Sequence, residues 1–118
     1  MELKDFKVGQ TVYVTQRNSA QESFMTQYRV TSVGRKYIAA EGAAGNSRKF
    51  EVWSETDPYL VEHKDFGEKM LLFSDKKAAE AHVEGNALRK WLSKAVDFQK
   101  LNRYTIEQLR AVKEILDK

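Results

Sequence analysis

The feature that most constrains this chain is a change of hydrophobic period near residue 73. Up to that point apolar residues alternate with polar ones, the period of a half-buried strand. Beyond it they recur every three or four residues, the period of a helix with one buried side. Val8, Val12 and Val14 alternate with Tyr13 and Thr15. Residues 24–33 form a longer β-rich run with Tyr28, Val30 and Val33 as its main apolar positions. Gly34-Arg35 supplies a tight turn into residues 36–41, where Ile38 and Ala40 face a core. Gly42-Ala43-Ala44-Gly45-Asn46-Ser47 then reads as a polar, flexible hairpin loop. Residues 48–55 carry Phe50 and Val52 on one face, and Asp57-Pro58 marks a turn, since a proline cannot sit in a central strand. Residues 59–62 and 70–73 close the sheet. Five or six short strands separated by turn signals predict a small, strongly bent barrel.

After Phe73, Ser74-Asp75 caps a helix through Ala78, Ala79, Ala81 and Val83, which Gly85-Asn86 is expected to stop. A second helix is expected over residues 87–99, with Leu88, Trp91, Leu92, Ala95 and Val96 in one stripe. A third begins at Thr105, whose spacing to Gln108 is that of a capping box, and buries Ile106, Leu109, Val112, Ile115 and Leu116. The expected fold class is therefore α+β: an N-terminal small β-barrel of five or six strands over residues 1–73, then a C-terminal helical hairpin or three-helix cap over residues 74–118. No linker-like stretch divides the two parts, so a single domain over 1–118 is expected.

Composition narrows the function. With 118 residues, 42% of them hydrophobic, the chain is long enough for a core without staples. It has no cysteine, which excludes disulfide scaffolds, cysteine-based zinc fingers and thiol nucleophiles. No apolar run approaches the roughly 20 residues of a membrane helix, and the first residues lack a signal-peptide core. A cytoplasmic protein with no membrane partner is the expectation. Charge is uneven: residues 86–118 hold eight bases against four acids, and residues 1–85 hold twelve against thirteen. The basic excess is densest among Arg89, Lys90, Lys94, Lys100 and Arg103, where Asp97 is the only acid. That run is either a solvated helix face or a contact for a polyanionic or acidic partner.

Chemistry-bearing motifs are sparse. His63 and His82 lie on different elements with no metal-ligand spacing, and read as surface histidines beside carboxylates. No nucleophile elbow occurs, and no carboxylate pair has a distinguishing context. The glycine-bearing stretch from Gly42 to Arg48 and Lys49 fails the phosphate-loop pattern and leads into a strand rather than a helix. No metal, cofactor or catalytic residue is expected.

Strand parity gives a stronger signal. With Val12, Ile38, Phe50 and Val52 inward, Tyr13, Tyr37 and Trp53 point outward, and Arg35 and Lys49 share their parity. Outward rings interleaved with cations suit stacked bases and neutralised phosphates. The same rings could instead seat the C-terminal helices, and different aromatics could serve each purpose.

The opening Phe6-Lys7-Val8-Gly9-Gln10-Thr11-Val12-Tyr13-Val14 resembles the first strand of SH3-like small barrels. Residues 28–38 (YRVTSVGRKYI) resemble the hairpin that follows it, with Gly9 and Gly34 as turn glycines and Val12, Val30 and Ile38 as core positions. Together with Leu72-Phe73-Ser74-Asp75 and residues 104–109 (YTIEQL), nearly the whole chain resembles small barrel-plus-helix proteins of bacteriophages and mobile elements. The resemblance carries no catalytic residue. It implies an accessory protein that acts stoichiometrically, by binding host nucleic acid, host enzymes or defence components. The leading expectation is a non-enzymatic binder of nucleic acid or a nucleoprotein through Arg35, Lys36, Tyr37, Arg48, Lys49 and Trp53, with Arg89, Lys90, Lys94, Lys100 and Arg103 adding a basic tail. The alternatives are an anti-defence inhibitor of a host immune protein, such as a CRISPR effector, and a sponge for a nucleotide second messenger. A metal-dependent nucleotide or nucleic-acid hydrolase is the remaining enzymatic reading.

Overall fold

The computed structural model describes residues 1–21 and 24–118. Six strands form a closed antiparallel barrel: β1 (Thr11–Gln16), β2 (Thr26–Val33), β3 (Ile38–Gly42), β4 (Ser47–Glu51), β5 (Leu60–Glu62) and β6 (Met70–Phe73). Each strand pairs with its neighbour in sequence, and β1 also pairs with β6, with Val14 opposite Leu72. Two helices follow, α1 (Lys76–Ala95) and α2 (Ile106–Leu116), separated by a 3-10 segment over Phe98–Arg103. The α+β architecture is the one the hydrophobic periods predict. The chain divides into two compact units, Met1–Ala87 and Leu88–Lys118.

In the first unit the barrel interior is filled by Val12, Val14, Tyr28, Val30, Ile38, Ala40, Phe50, Leu60 and Leu72, with Phe6 closing one side. A second cluster lies on the outer side of the sheet, where Val61, Leu71 and Phe73 are buried with Ala79 of α1, and Tyr13, Tyr59 and Ala78 pack around them. β5 and β6 are thus covered on both faces, which is why β6 reads as an unbroken apolar run, Met70–Phe73, rather than an alternating one. Asp75 Oδ1 accepts from Lys77 N–H at 3.2 Å and starts α1 where the sequence places a cap. Farther along the helix, His82 Nε2 donates to the Arg17 carbonyl (2.8 Å). Asn86 Nδ2 reaches the carbonyls of Arg17 (3.0 Å) and Ser19 (2.9 Å). The first half of α1 is fastened to the barrel by apolar contact and by these polar ties.

Gly85-Asn86 does not end the helix, contrary to expectation. A glycine terminator works by adopting positive φ, and among the described glycines only Gly9, Gly45 and Gly67 do so. Asn86 turns its amide to the loop after β1 instead of to its own helix end. The expected first and second helices are therefore one. Ala79 and Val83 are the buried residues of α1. Leu88, Trp91 and Val96 of the predicted stripe belong to the second unit and are exposed. Thr105 and Gln108 form the reciprocal capping box at the start of α2, with bonds of 3.1 and 2.9 Å. The α2 residues Ile106, Leu109, Val112, Ile115 and Leu116, expected to form a buried face, are all exposed.

Thr15 is fully buried on the outward side of β1, and among the described residues its hydroxyl has no hydrogen-bond partner. An orphaned buried hydroxyl costs about 1–3 kcal/mol, and valine has nearly the same shape. Thr15→Val should raise the urea midpoint of unfolding without altering the slope; a lowered midpoint would show that the hydroxyl is paired.

Candidate nucleic-acid interface

The site grows out of β4. With Phe50 buried in the barrel, Lys49 and Glu51 point out, and Trp53, just past the strand, continues the same parity. Glu51 organises its neighbours: Oε1 accepts from Trp53 Nε1 and Oε2 from His63 Nδ1, each at 3.0 Å. His63 lies beside Lys49 because its N–H donates to the Lys49 carbonyl (2.8 Å), extending the β4–β5 ladder. The His63 ring meets Tyr37, with centroids 4.6 Å apart and planes tilted by 45°. Lys49 Nζ stands 5.8 Å from the Tyr37 ring centre.

At the other end of this face, Lys69 Nζ lies 4.7 Å and the Arg17 guanidinium 5.6 Å from the Trp53 ring centre. These two cations come from opposite sides of the barrel seam. Arg17 follows β1 and Lys69 precedes β6, and the Arg17 N–H donates to the Lys69 carbonyl at 3.3 Å. Trp53 nevertheless keeps 49% of its surface exposed. The outcome is two aromatic platforms, Trp53 with two cations against its ring and Tyr37 with one, joined through a histidine and one carboxylate.

Arg35 and Lys36 sit exposed in the β2–β3 turn, closed by the Gly34 N–H to the Tyr37 carbonyl (2.8 Å). Arg35, Lys36, Tyr37 and Lys49 together line a shallow depression of about 280 Å³. A wider groove of about 680 Å³ continues from Arg35, Lys36 and Tyr37 toward Glu2, Glu51 and Glu55.

Arg48 is placed differently from its neighbour. It has the inward parity of Phe50 and lies at a mouth of the barrel. Its Nη1 donates to Glu62 Oε2 (2.7 Å) and its Nε to the Tyr28 hydroxyl (3.1 Å). Glu62 is buried and also accepts from the Met70 N–H (3.1 Å). Hydrogen bonds to Glu62 first, and then to Tyr28, push the Arg48 pKa up from the ordinary guanidinium value. Asn46 Nδ2 donates to the same Tyr28 hydroxyl at 2.7 Å, so the β3–β4 hairpin is pinned at its base.

In the second unit, Arg89, Lys90 and Lys94 are exposed on α1, and Lys100 and Arg103 on the 3-10 segment. Lys90 and Lys94 are one helical turn apart and share a face.

Parity alone finds Tyr37, Lys49 and Trp53, and extending it by one step along β4 would have added Glu51. Arg17 and Lys69 carry no local signal, because only barrel closure brings them to Trp53. His63 does lie beside a carboxylate as expected, but that carboxylate is Glu51 across the ladder. His82 bonds a loop carbonyl instead of an acid. Of the three outward aromatics, Tyr13 packs into the cluster beneath α1, while Tyr37 and Trp53 stay on the cationic face. Among the described residues no group of three or more His, Asp or Glu side chains could hold a metal ion.

Arg48 and Lys49 should therefore respond oppositely to truncation. Arg48→Ala leaves the buried Glu62 short of its charged donor and should lower stability by about 1.5–3 kcal/mol in urea unfolding. Lys49→Ala should change it by no more than about 0.5 kcal/mol. Equal effects would remove the distinction between the two positions.

The family model for the Phage ProQ C-terminal-like domain matches residues 1–118. No curated protein and no solved structure matches the chain.

Proposed function

The chain belongs to the phage ProQ C-terminal-like domain family, and on that premise we propose that it is an accessory protein that binds single-stranded nucleic acid stoichiometrically, without turnover. Its phage type agrees with the resemblance of its barrel and helices to small phage proteins. The observation that carries the binding assignment is the interleaving of rings and cations on the outer face of β4 and its neighbours. Trp53 lies under Lys69 and Arg17, and Tyr37 lies beside Lys49.

A single strand offers unstacked bases and a flexible backbone. A base stacked on an exposed ring gains about 1–3 kcal/mol and needs no particular sequence. Lysine and arginine side chains over a ring are long enough to yield the ring face to a base and turn to the adjoining phosphates. Duplexes keep their bases stacked inside, so this surface favours unpaired strands. Arg35 and Lys36 extend the cationic path past Tyr37. Lys90 and Lys94 form a basic surface on the helical unit.

Anisotropy titrations with labelled oligouridine and oligothymidine of about ten nucleotides test this directly. Trp53→Ala and Tyr37→Ala should each weaken binding by about 5-fold to 150-fold, the equivalent of one lost stack. The logarithm of affinity should fall with the logarithm of salt at a slope of about −2 to −3.5, corresponding to three to five phosphate contacts. The double reversal Lys90→Glu, Lys94→Glu should weaken binding while leaving the unfolding midpoint unchanged. Affinity that ignores both aromatic truncations would refute the barrel-face assignment.

A further inference from the structure

A carboxylate at the centre of a surface that binds polyanions calls for a reason. Glu51 lies between the two aromatic platforms, and among the described residues no lysine or arginine forms an ion pair with it, although Lys49, Lys69 and Arg17 surround its neighbours. It is held instead by two N–H donors, Trp53 Nε1 and His63 Nδ1, one on each oxygen. Its side chain keeps 27% of its surface exposed. An ionised carboxylate accepts about four hydrogen bonds, so each oxygen keeps one acceptor position available, in a fixed orientation beside a ring on which a base can stack.

We infer that Glu51 is a specificity-determining residue that accepts hydrogen bonds from the Watson–Crick edge of guanine. The inference rests on the single-strand reading above and adds a base preference to it. A phosphate is repelled at this point, so the strand must present a base edge there and not its backbone. Guanine offers two adjacent donors, N1–H and the 2-amino group, matched to the two oxygens of a carboxylate. Adenine and cytosine offer one amino group each. Uracil and thymine offer a single N3–H flanked by two carbonyl oxygens, which the carboxylate opposes. Trp53 and His63 fix the carboxylate by donating to it, so its preference is built in before a strand arrives.

The test uses labelled oligouridines of about ten nucleotides carrying a central guanosine, inosine or uridine. Inosine keeps N1–H and lacks the 2-amino group. The wild-type protein should bind the guanosine strand about tenfold more tightly than the uridine strand, with inosine between them. Glu51→Gln should bring the three strands level while binding the uridine strand at least as well as wild type, because a negative charge is gone. Its amide oxygen still accepts from the Trp53 indole, so Trp53 emission in a Trp91→Phe background should be unchanged, which separates base reading from ring positioning. Wild-type binding that is lost in Trp53→Ala yet equal for the three strands would overturn the role of Glu51 and leave the single-strand reading standing. A guanosine preference that survives in Glu51→Gln would do the same. Absence of wild-type binding to every strand would overturn the single-strand reading itself, and the role of Glu51 with it.

Discussion

Closure of the barrel through β1, which pairs with β2 on one side and β6 on the other, sets everything else in the first unit. A sheet of six short strands closed in this way has an interior one layer of side chains deep. Valine, isoleucine, leucine and two large aromatics fill it. Once the interior is assigned, alternation sends every second residue outside, and the outer surface divides by chemistry. Around β5 and β6 the outward residues Val61, Leu71 and Phe73 are apolar, and with Tyr13 of β1 they pack against the first half of α1. Around β4 they are Lys49, Glu51 and Trp53, and they stay on the surface. The closing seam also delivers Arg17 and Lys69 as backbone partners beside Trp53. The cationic platform therefore exists only in the closed barrel.

Two carboxylates on this barrel are handled in opposite ways. Glu62 points inward at the barrel mouth, where burial would be costly without its guanidinium, backbone and lysine partners. Its network ties β4, β5 and β6 together and also engages Tyr28 of β2. Glu51 points outward, held by the Trp53 and His63 N–H groups, and retains acceptor capacity. One residue of parity separates a structural arginine from a surface lysine at positions 48 and 49, and a similar difference separates these two acids. The chemistry of the face follows from the register more than from composition.

The strand order was legible because half-buried strands alternate, and the six runs between turn signals correspond to the six strands. Local capping chemistry placed the start of α1 at Asp75 and the start of α2 at Thr105 for the same reason: both signals act within one turn of chain. Gly85-Asn86 misled because a glycine-asparagine pair ends helices only when the backbone turns left-handed there. Whether it turns depends on a loop some seventy residues earlier in sequence, which Asn86 grips. Arg48 adjoins Lys49 in sequence, but its parity with Phe50 assigns it inward, to Glu62. Arg17, Lys69 and the His63–Glu51 pairing depend on cross-strand register and closure, which no window of sequence contains. The basic excess of the helical tail was visible as charge, whereas the exposure of Trp91 and of the α2 stripe depends on packing.

The most direct test of the central claim is a residue-resolved titration: proton–nitrogen NMR spectra of the labelled protein with increasing single-stranded oligonucleotide. The outer face of the barrel should respond, with shifts at Tyr37, Lys49, Glu51, His63 and Lys69 and at the Trp53 indole N–H. The buried amides of Val12, Val14 and Leu72 should hold still. Shifts confined to the barrel mouth around Asn46 and Arg48, or to the helical unit alone, would contradict the assignment of the β4 face as the binding surface.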